Sequence, residues 1–201
     1  MNLPYLLASL PYLMFDAPAP LTPEAFLTTC REHLSKHDAK AVEALVGGTG
    51  LRPVAAGDRP EVCPAFVREW VKFEKQLRDA VAQWRITRRK VTTREQDAPA
   101  TFTWEQDAPA TFTREQDAPA TLEILATLDP LARDTALDRL RWKKAEEMEG
   151  LDPMSLDALF AYAVKLRISL RRSAMTPEAG GTVLEQMANA PLPGGTDDPE
   201  N

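Results

Sequence analysis

Apolar residues recur along this chain at steps of three and four, and prolines mark where that rhythm can persist. An interior proline costs a helix about 3 kcal/mol, so helices fit the proline-free windows 24–52, 65–98, 131–152 and 154–176. In the longest window Phe66, Trp70, Phe73, Leu77, Ala80 and Trp84 fall on one stripe. This predicts an amphipathic helix over 65–90, about 39 Å long. Leu137, Leu140, Lys144 and Met148, led in by Leu131, Ala132 and Ala136, predict a second helix over 131–149 that Gly150 stops. A third opens at Ser155 or at Asp152-Pro153 and runs through Leu156, Leu159, Phe160, Ala163, Leu166 and Leu170. Its Arg171 and Arg172 suit the negative end of the helix dipole.

Thr22-Pro23-Glu24 and Thr176-Pro177-Glu178 each read as an N-cap, a proline at the first helical position and an acidic first turn. They open helices that run to near Leu34 and to Asn189. Ser35 or Asp38 begins another, closed at Gly47-Gly48. Alternating strand patterns with hairpin turns are missing. The expected fold is all-α: an elongated helical bundle over 1–190 with long amphipathic helices, an extended N-terminal segment and an irregular repeat insert.

Two segments break the rhythm. From Leu3 to Phe15 the chain is apolar and Ala17-Pro18-Ala19 resembles a signal-peptidase site, but the first Lys or Arg is Arg31, and Pro4 and Pro11 interrupt the helix a secretory signal needs. An extended segment laid into the core, burying Tyr5, Leu7 and the Leu-Pro turn, is the expectation. Between Arg94 and Thr121 one ten-residue unit, Arg-Glu-Gln-Asp-Ala-Pro-Ala-Thr-Phe-Thr, is written nearly three times. Each copy holds a proline and little apolar surface, so 91–121 is expected to be a disordered loop that interrupts the domain. A linear motif displayed for avidity is the functional alternative. The tail 191–201 is also expected to be disordered.

Composition narrows the function. The formal charge of −6 argues against nucleic-acid binding through the whole surface. The run Trp84-Arg85-Ile86-Thr87-Arg88-Arg89-Lys90 is the best local candidate for an anionic partner, with Trp84 placed to stack on a base. A solvated helix end accounts for the same cluster, because cations favour a helix C-terminus. Cys30 and Cys63 are too few for a disulfide framework and fit a reducing cytoplasm. A zinc site from Cys30, His33, His37 and Cys63 is poorly set up, since His33 and His37 end one helix and begin the next. Gly47-Gly48-Thr49-Gly50 lacks the Lys-Ser/Thr of a phosphate-binding loop, and no Gly-x-Ser-x-Gly elbow exists. Glu146, Glu147 and Glu149 read as surface ion-pair partners of Arg141, Lys143 and Lys144. No catalytic residue, cofactor site or metal site is expected.

Three stretches together resemble an uncharacterised bacterial family usually encoded in gene clusters for V/A-type rotary ATPases. Tyr5-Leu6-Leu7-Ala8-Ser9-Leu10-Pro11 is close to that family's opening motif. Trp70 to Arg78 is similar to its aromatic-Glu-x-x-Leu-Arg helix, with Asp79 where Asn is common. Leu137-Asp138-Arg139-Leu140-Arg141-Trp142 and Phe160-Ala161-Tyr162-Ala163-Val164-Lys165-Leu166 look like its Leu-Asp-x-Leu-Arg-Trp and Phe-Ala-Tyr-x-x-Lys-Leu motifs. The resemblance implies a non-catalytic subunit or accessory protein that acts in stalk assembly or in coupling rotor to membrane ring. Its helical layout is distantly similar to the V-type stalk component that joins the central rotor to that ring. Its partners would be rotor-stalk subunits and the ring, with the protein cytoplasmic and reaching the inner membrane only through the complex. Arg78, Arg141, Trp142, Tyr162 and Lys165, with Trp84 of the basic helix end, are the candidate contact residues. The alternative is internal: Arg141 and Lys165 run along the bundle while Trp142 and Tyr162 fill its edge. A nucleic-acid or general protein-binding module using 84–90 is the second functional class, and a metal enzyme at Cys30 and His33 the third.

Overall fold

The computed structural model describes residues 2–48, 64–94, 121, 124–126, 129–175 and 177–189, and every regular element among them is helical. In chain order these include α1 (Leu3–Ser9), α2 (Pro23–His33), α3 (Lys36–Gly47), α4 (Ala65–Arg94), α5 (Pro130–Glu149), α6 (Leu156–Ala174) and α7 (Pro177–Asn189), and residues 121 and 124–126 are helical as well. Local chemistry starts most of them. Thr22 Oγ1 accepts the Ala25 N–H at 3.3 Å, Ser35 Oγ that of Asp38 at 3.1 Å and Ser155 Oγ that of Ala158 at 3.1 Å. Asp129, one residue before Pro130, caps α5 through the N–H groups of Leu131 and Ala132. Each such cap contributes about 1 kcal/mol. Gly48 and Gly150 end α3 and α5 with positive φ, 66° and 75°, a backbone region glycine enters without strain.

The N-terminal segment corrects the expectation of an extended strap. Residues 3–9 form α1, capped by Asn2. Pro4 lies in the first turn, where a missing N–H breaks no helical bond, and Pro11 falls beyond the last turn. Leu6 takes the buried position while Tyr5 is 61% exposed. Only residues 10–21 follow an irregular course, with Leu13 buried and Phe15 half-buried.

α6 is the centre of the molecule. Leu159, Phe160, Ala163, Val164, Leu166 and Ile168 are all buried, so it is enclosed on most sides. It packs along α5 and α3 and meets α4 over a shorter stretch, while α2 joins α3 and α1. The predicted stripe of α4 is the buried one from Phe66 to Ala80, with Trp84 half-buried beyond it. α4 continues to Arg94, so the insert expected over 91–121 has a helical start; Thr121, at its other limit, is helical and buried. The repeat over 95–120, Cys63 and the tail 190–201 lie outside the described residues.

The expected stripe of α5 is also corrected. Leu137, Asp138, Trp142 and Ala145 form its buried face, Leu140 and Met148 only flank the core, and Leu131 is 68% exposed. The reason is chemical: this face buries a carboxylate, which an apolar pattern cannot register. α7 differs from the rest, because every side chain described on it is exposed, Val183, Leu184 and Met187 included. Among the described residues no helix is long and apolar enough to cross a membrane.

Candidate functional site

Four polar residues of the resembling stretches, Glu74 and Arg78 of α4 with Asp138 and Arg141 of α5, meet where α4, α5 and α6 come together. Glu74 lies between Phe73 and Leu77 on the inward side of α4 and is 2% exposed. Its Oε1 accepts from Arg141 Nε of α5 at 2.9 Å and has Arg167 Nη2 of α6 at 3.9 Å. One turn before Arg141, Asp138 is equally buried, and its Oδ1 accepts from Arg141 Nη1 at 3.2 Å and from Arg171 Nη1 at 2.6 Å. Arg171 then grips both oxygens of Asp134 through Nη2 at 2.6 Å. Three helices are thus tied by one chain of charge-assisted hydrogen bonds.

Burial disfavours the charged forms of Asp138 and Arg167 in this network. It pushes the Asp138 carboxyl up, against the downward pull of Arg171 and Arg141, and Asp138 Oδ2 is buried without a hydrogen-bond partner. It lowers the proton affinity of Arg167, with Glu74 opposing and the like charges of Arg141 and Arg171 adding to the loss. Burial acts on Arg171 in the same direction, but its hydrogen bonds and proximity to Asp134 and Asp138 more than compensate, and the net shift is upward. Arg167 also donates to Leu45 O at 3.4 Å, and its side chain passes Gly48. A Cβ at that glycine would stand 3.5 Å from the guanidinium.

The network forms one wall of a cleft of about 370 Å³ between α4, α5 and α6. Arg78 and Arg85 of α4 line the cleft as well, with Leu77, Val81, Leu137 and Ile168 as the apolar part of its lining. Arg78 Nε donates to the backbone oxygen of Glu74 in its own helix at 3.2 Å. Arg85 is exposed.

The other sequence candidates are placed differently. Trp142 is 8% exposed, donates Nε1 to Glu146 at 2.9 Å and meets Phe15 edge-on at 5.6 Å. Tyr162 donates its hydroxyl to Pro11 O at 2.9 Å, and burial pushes its pKa up to about 12. Lys165 pairs with Glu149 at 2.6 Å and lies 5.9 Å from the Trp142 ring centre. Arg141, Trp142, Tyr162 and Lys165 are therefore internal connectors between helices and the N-terminal segment. Trp84, read as a base-stacking residue, has Arg133 over its ring at 4.4 Å and Arg88 at 5.3 Å. Lys144 likewise pairs with Glu147 at 3.2 Å. Sequence reasoning does not single out Glu74, Asp134, Asp138, Arg85, Arg167 and Arg171 as one site. The usable sign is a carboxylate on an apolar stripe, Glu74 four residues after Trp70 and three before Leu77.

Cys30 is buried in α2, and burial pushes its thiol up to about 12. His33 instead stacks obliquely near Tyr5 at 5.5 Å, and His37 faces Asp38 at 3.4 Å. Among the described residues no group of three or more His, Cys, Asp or Glu side chains is placed to hold a metal ion. Compared with known proteins, the chain matches no family model, no curated protein and no solved structure.

Proposed function

We propose that this protein is a non-catalytic subunit or accessory protein of a bacterial V/A-type rotary ATPase, acting in stalk assembly or in coupling the rotor to the membrane ring. One observation carries the reading: the separate stretches that resemble the ATPase-associated family touch one another. Arg141 of the third stretch pairs with Glu74 of the second across 67 residues, and Tyr162 of the third holds Pro11 of the first across 151. Residues shared as a set are expected to be mutually dependent, and a set of contacts that defines a scaffold meets that expectation better than unrelated surface positions would.

An assembly role also needs surface to dock with. Val183, Leu184 and Met187 give α7 an apolar side that the protein's own core leaves exposed, the form taken by helices that lie in a partner's groove. The reading places Arg141, Trp142, Tyr162 and Lys165 in the scaffold and the contacts elsewhere. It is tested by purifying the tagged full-length chain from gently solubilised native membranes and identifying co-purifying proteins by mass spectrometry. Stoichiometric recovery of catalytic and rotor subunits is the expected result, reduced in the variant Leu184→Glu with Met187→Glu. Recovery of none of them from an extract that contains the intact ATPase overturns it.

A further inference from the structure

The cleft between α4, α5 and α6 is unusual for a chain of net charge −6. Five guanidiniums line it, from Arg78, Arg85, Arg141, Arg167 and Arg171. Only three carboxylates among the described residues oppose them: Asp134 and Asp138 on the wall and Glu74 behind it. Those carboxylates are committed. Asp134 is gripped through both oxygens by Arg171, Asp138 is shared by Arg171 and Arg141, and Glu74 takes Arg141 closely and Arg167 at 3.9 Å. Arg78 and Arg85 have no carboxylate partner among the described residues.

These two arginines stand seven residues apart, so they share one face of α4 about 10 Å apart along its axis. They overlook a space of about 370 Å³, within the range of small-molecule sites. Leu77, Val81, Leu137 and Ile168 supply the apolar part of the lining. Arginine is the side chain suited to paired recognition of phosphate and carboxylate oxygens.

We propose that this cleft is a binding site for a small polyanion, a molecule carrying two or more phosphate or carboxylate groups, with Arg78 and Arg85 as its primary contacts and Arg167 behind them. This assignment is independent of membership in a rotary ATPase, so each can fail alone. Asp134 and Asp138 direct the anionic end of the ligand toward α4, away from their own charge.

Isothermal calorimetry on the full chain at fixed ionic strength tests it with three probes, inorganic tripolyphosphate, ATP and citrate, against sodium chloride as control. At least one probe is expected to bind with a Kd below about 1 mM. Binding of tripolyphosphate and ATP alone assigns the phosphate source, and comparable binding of citrate assigns the carboxylate source. Arg85→Glu, at an exposed position, is expected to weaken binding by about tenfold or more while leaving the melting temperature of the free protein unchanged. Arg78→Ala should act the same way, and Arg31→Ala, distant in the α2–α3 surface pair, should leave affinity unchanged. Failure of all three probes to bind overturns the proposal. So does binding that Arg85→Glu leaves intact.

Discussion

The two sides of α6 are held by different forces. Toward α2 and α3 the most deeply buried residues are Phe26, Cys30, Val42 and Leu45, each at most 3% exposed. The ion pair between those two helices, Arg31 to Glu43 at 3.3 Å, sits outside with both side chains 55% exposed. Toward α4 and α5 the apolar residues Trp70, Leu77 and Trp142 share the interior with Glu74, Asp138 and the stem of Arg141. Apolar packing tolerates small shifts in register, because dispersion and burial are not directional. Buried charges do not, since each must meet its partner in hydrogen-bonding geometry or leave a desolvated ion. The charged side therefore fixes how α4, α5 and α6 line up, while the side toward α2 and α3 rests on apolar burial.

Removing one member of the buried network does the most damage. Glu74→Ala leaves Arg141 and Arg167 without their shared carboxylate and is expected to destabilise by roughly 3–5 kcal/mol in urea unfolding. If the loss is under about 1 kcal/mol, the value typical of a solvated surface pair, the contrast disappears. Leu166→Ala, at a fully buried position of α6, should cost a similar roughly 2–5 kcal/mol through burial and cavity terms. The two are told apart by chemistry: Glu74→Ala with Arg141→Ala is expected to show a coupling of about 0.5–3 kcal/mol, whereas Leu166→Ala should be additive with Arg141→Ala unless the two sites share a cavity.

Alkaline pH probes the apolar side. The Cys30 thiol, ordinarily near 9.0 and pushed to about 12 by burial, binds its proton more tightly in the folded state. Stability is therefore expected to fall as pH rises from about 9 toward 12, on the order of 1 kcal/mol per pH unit. Tyr162, raised from 10.0 to about 12, adds to the slope above its ordinary value. Cys30→Ala should flatten the decline between about pH 9 and 10, read from melting temperature. Smaller still, Tyr162→Phe removes the hydrogen bond to Pro11 O and is expected to cost about 1 kcal/mol. Arg31→Ala marks the lower bound, within about 0.5 kcal/mol, because its pair is exposed and screened.

Much of the helical layout is legible in the sequence. The stripe from Phe66 to Ala80, the caps at Thr22 and Ser155, and the stop at Gly150 are local signals, each complete within a few residues. α1 departs from the expectation because Pro4 and Pro11 look like breakers, although their positions, inside the first turn and beyond the last, are those a short helix accepts. The candidate site is legible only in fragments. Arg78 and Arg141 stand out through the resemblance, but Arg171 has a sufficient local explanation in the helix dipole, and Glu74 and Asp138 look like ordinary members of amphipathic helices.

Sequence alone determined the all-α class, the start and end of most helices and the apolar stripe of α4, because capping bonds, proline placement and 3.6-residue periodicity are short-range. Tertiary structure alone decided which carboxylates are buried, that Arg141 spans 67 residues to reach Glu74, and that Arg78 and Arg85 face a cleft without carboxylate partners among the described residues. Charge pairing depends on distance in space and on local dielectric, and neither is written in the spacing of residues along a chain.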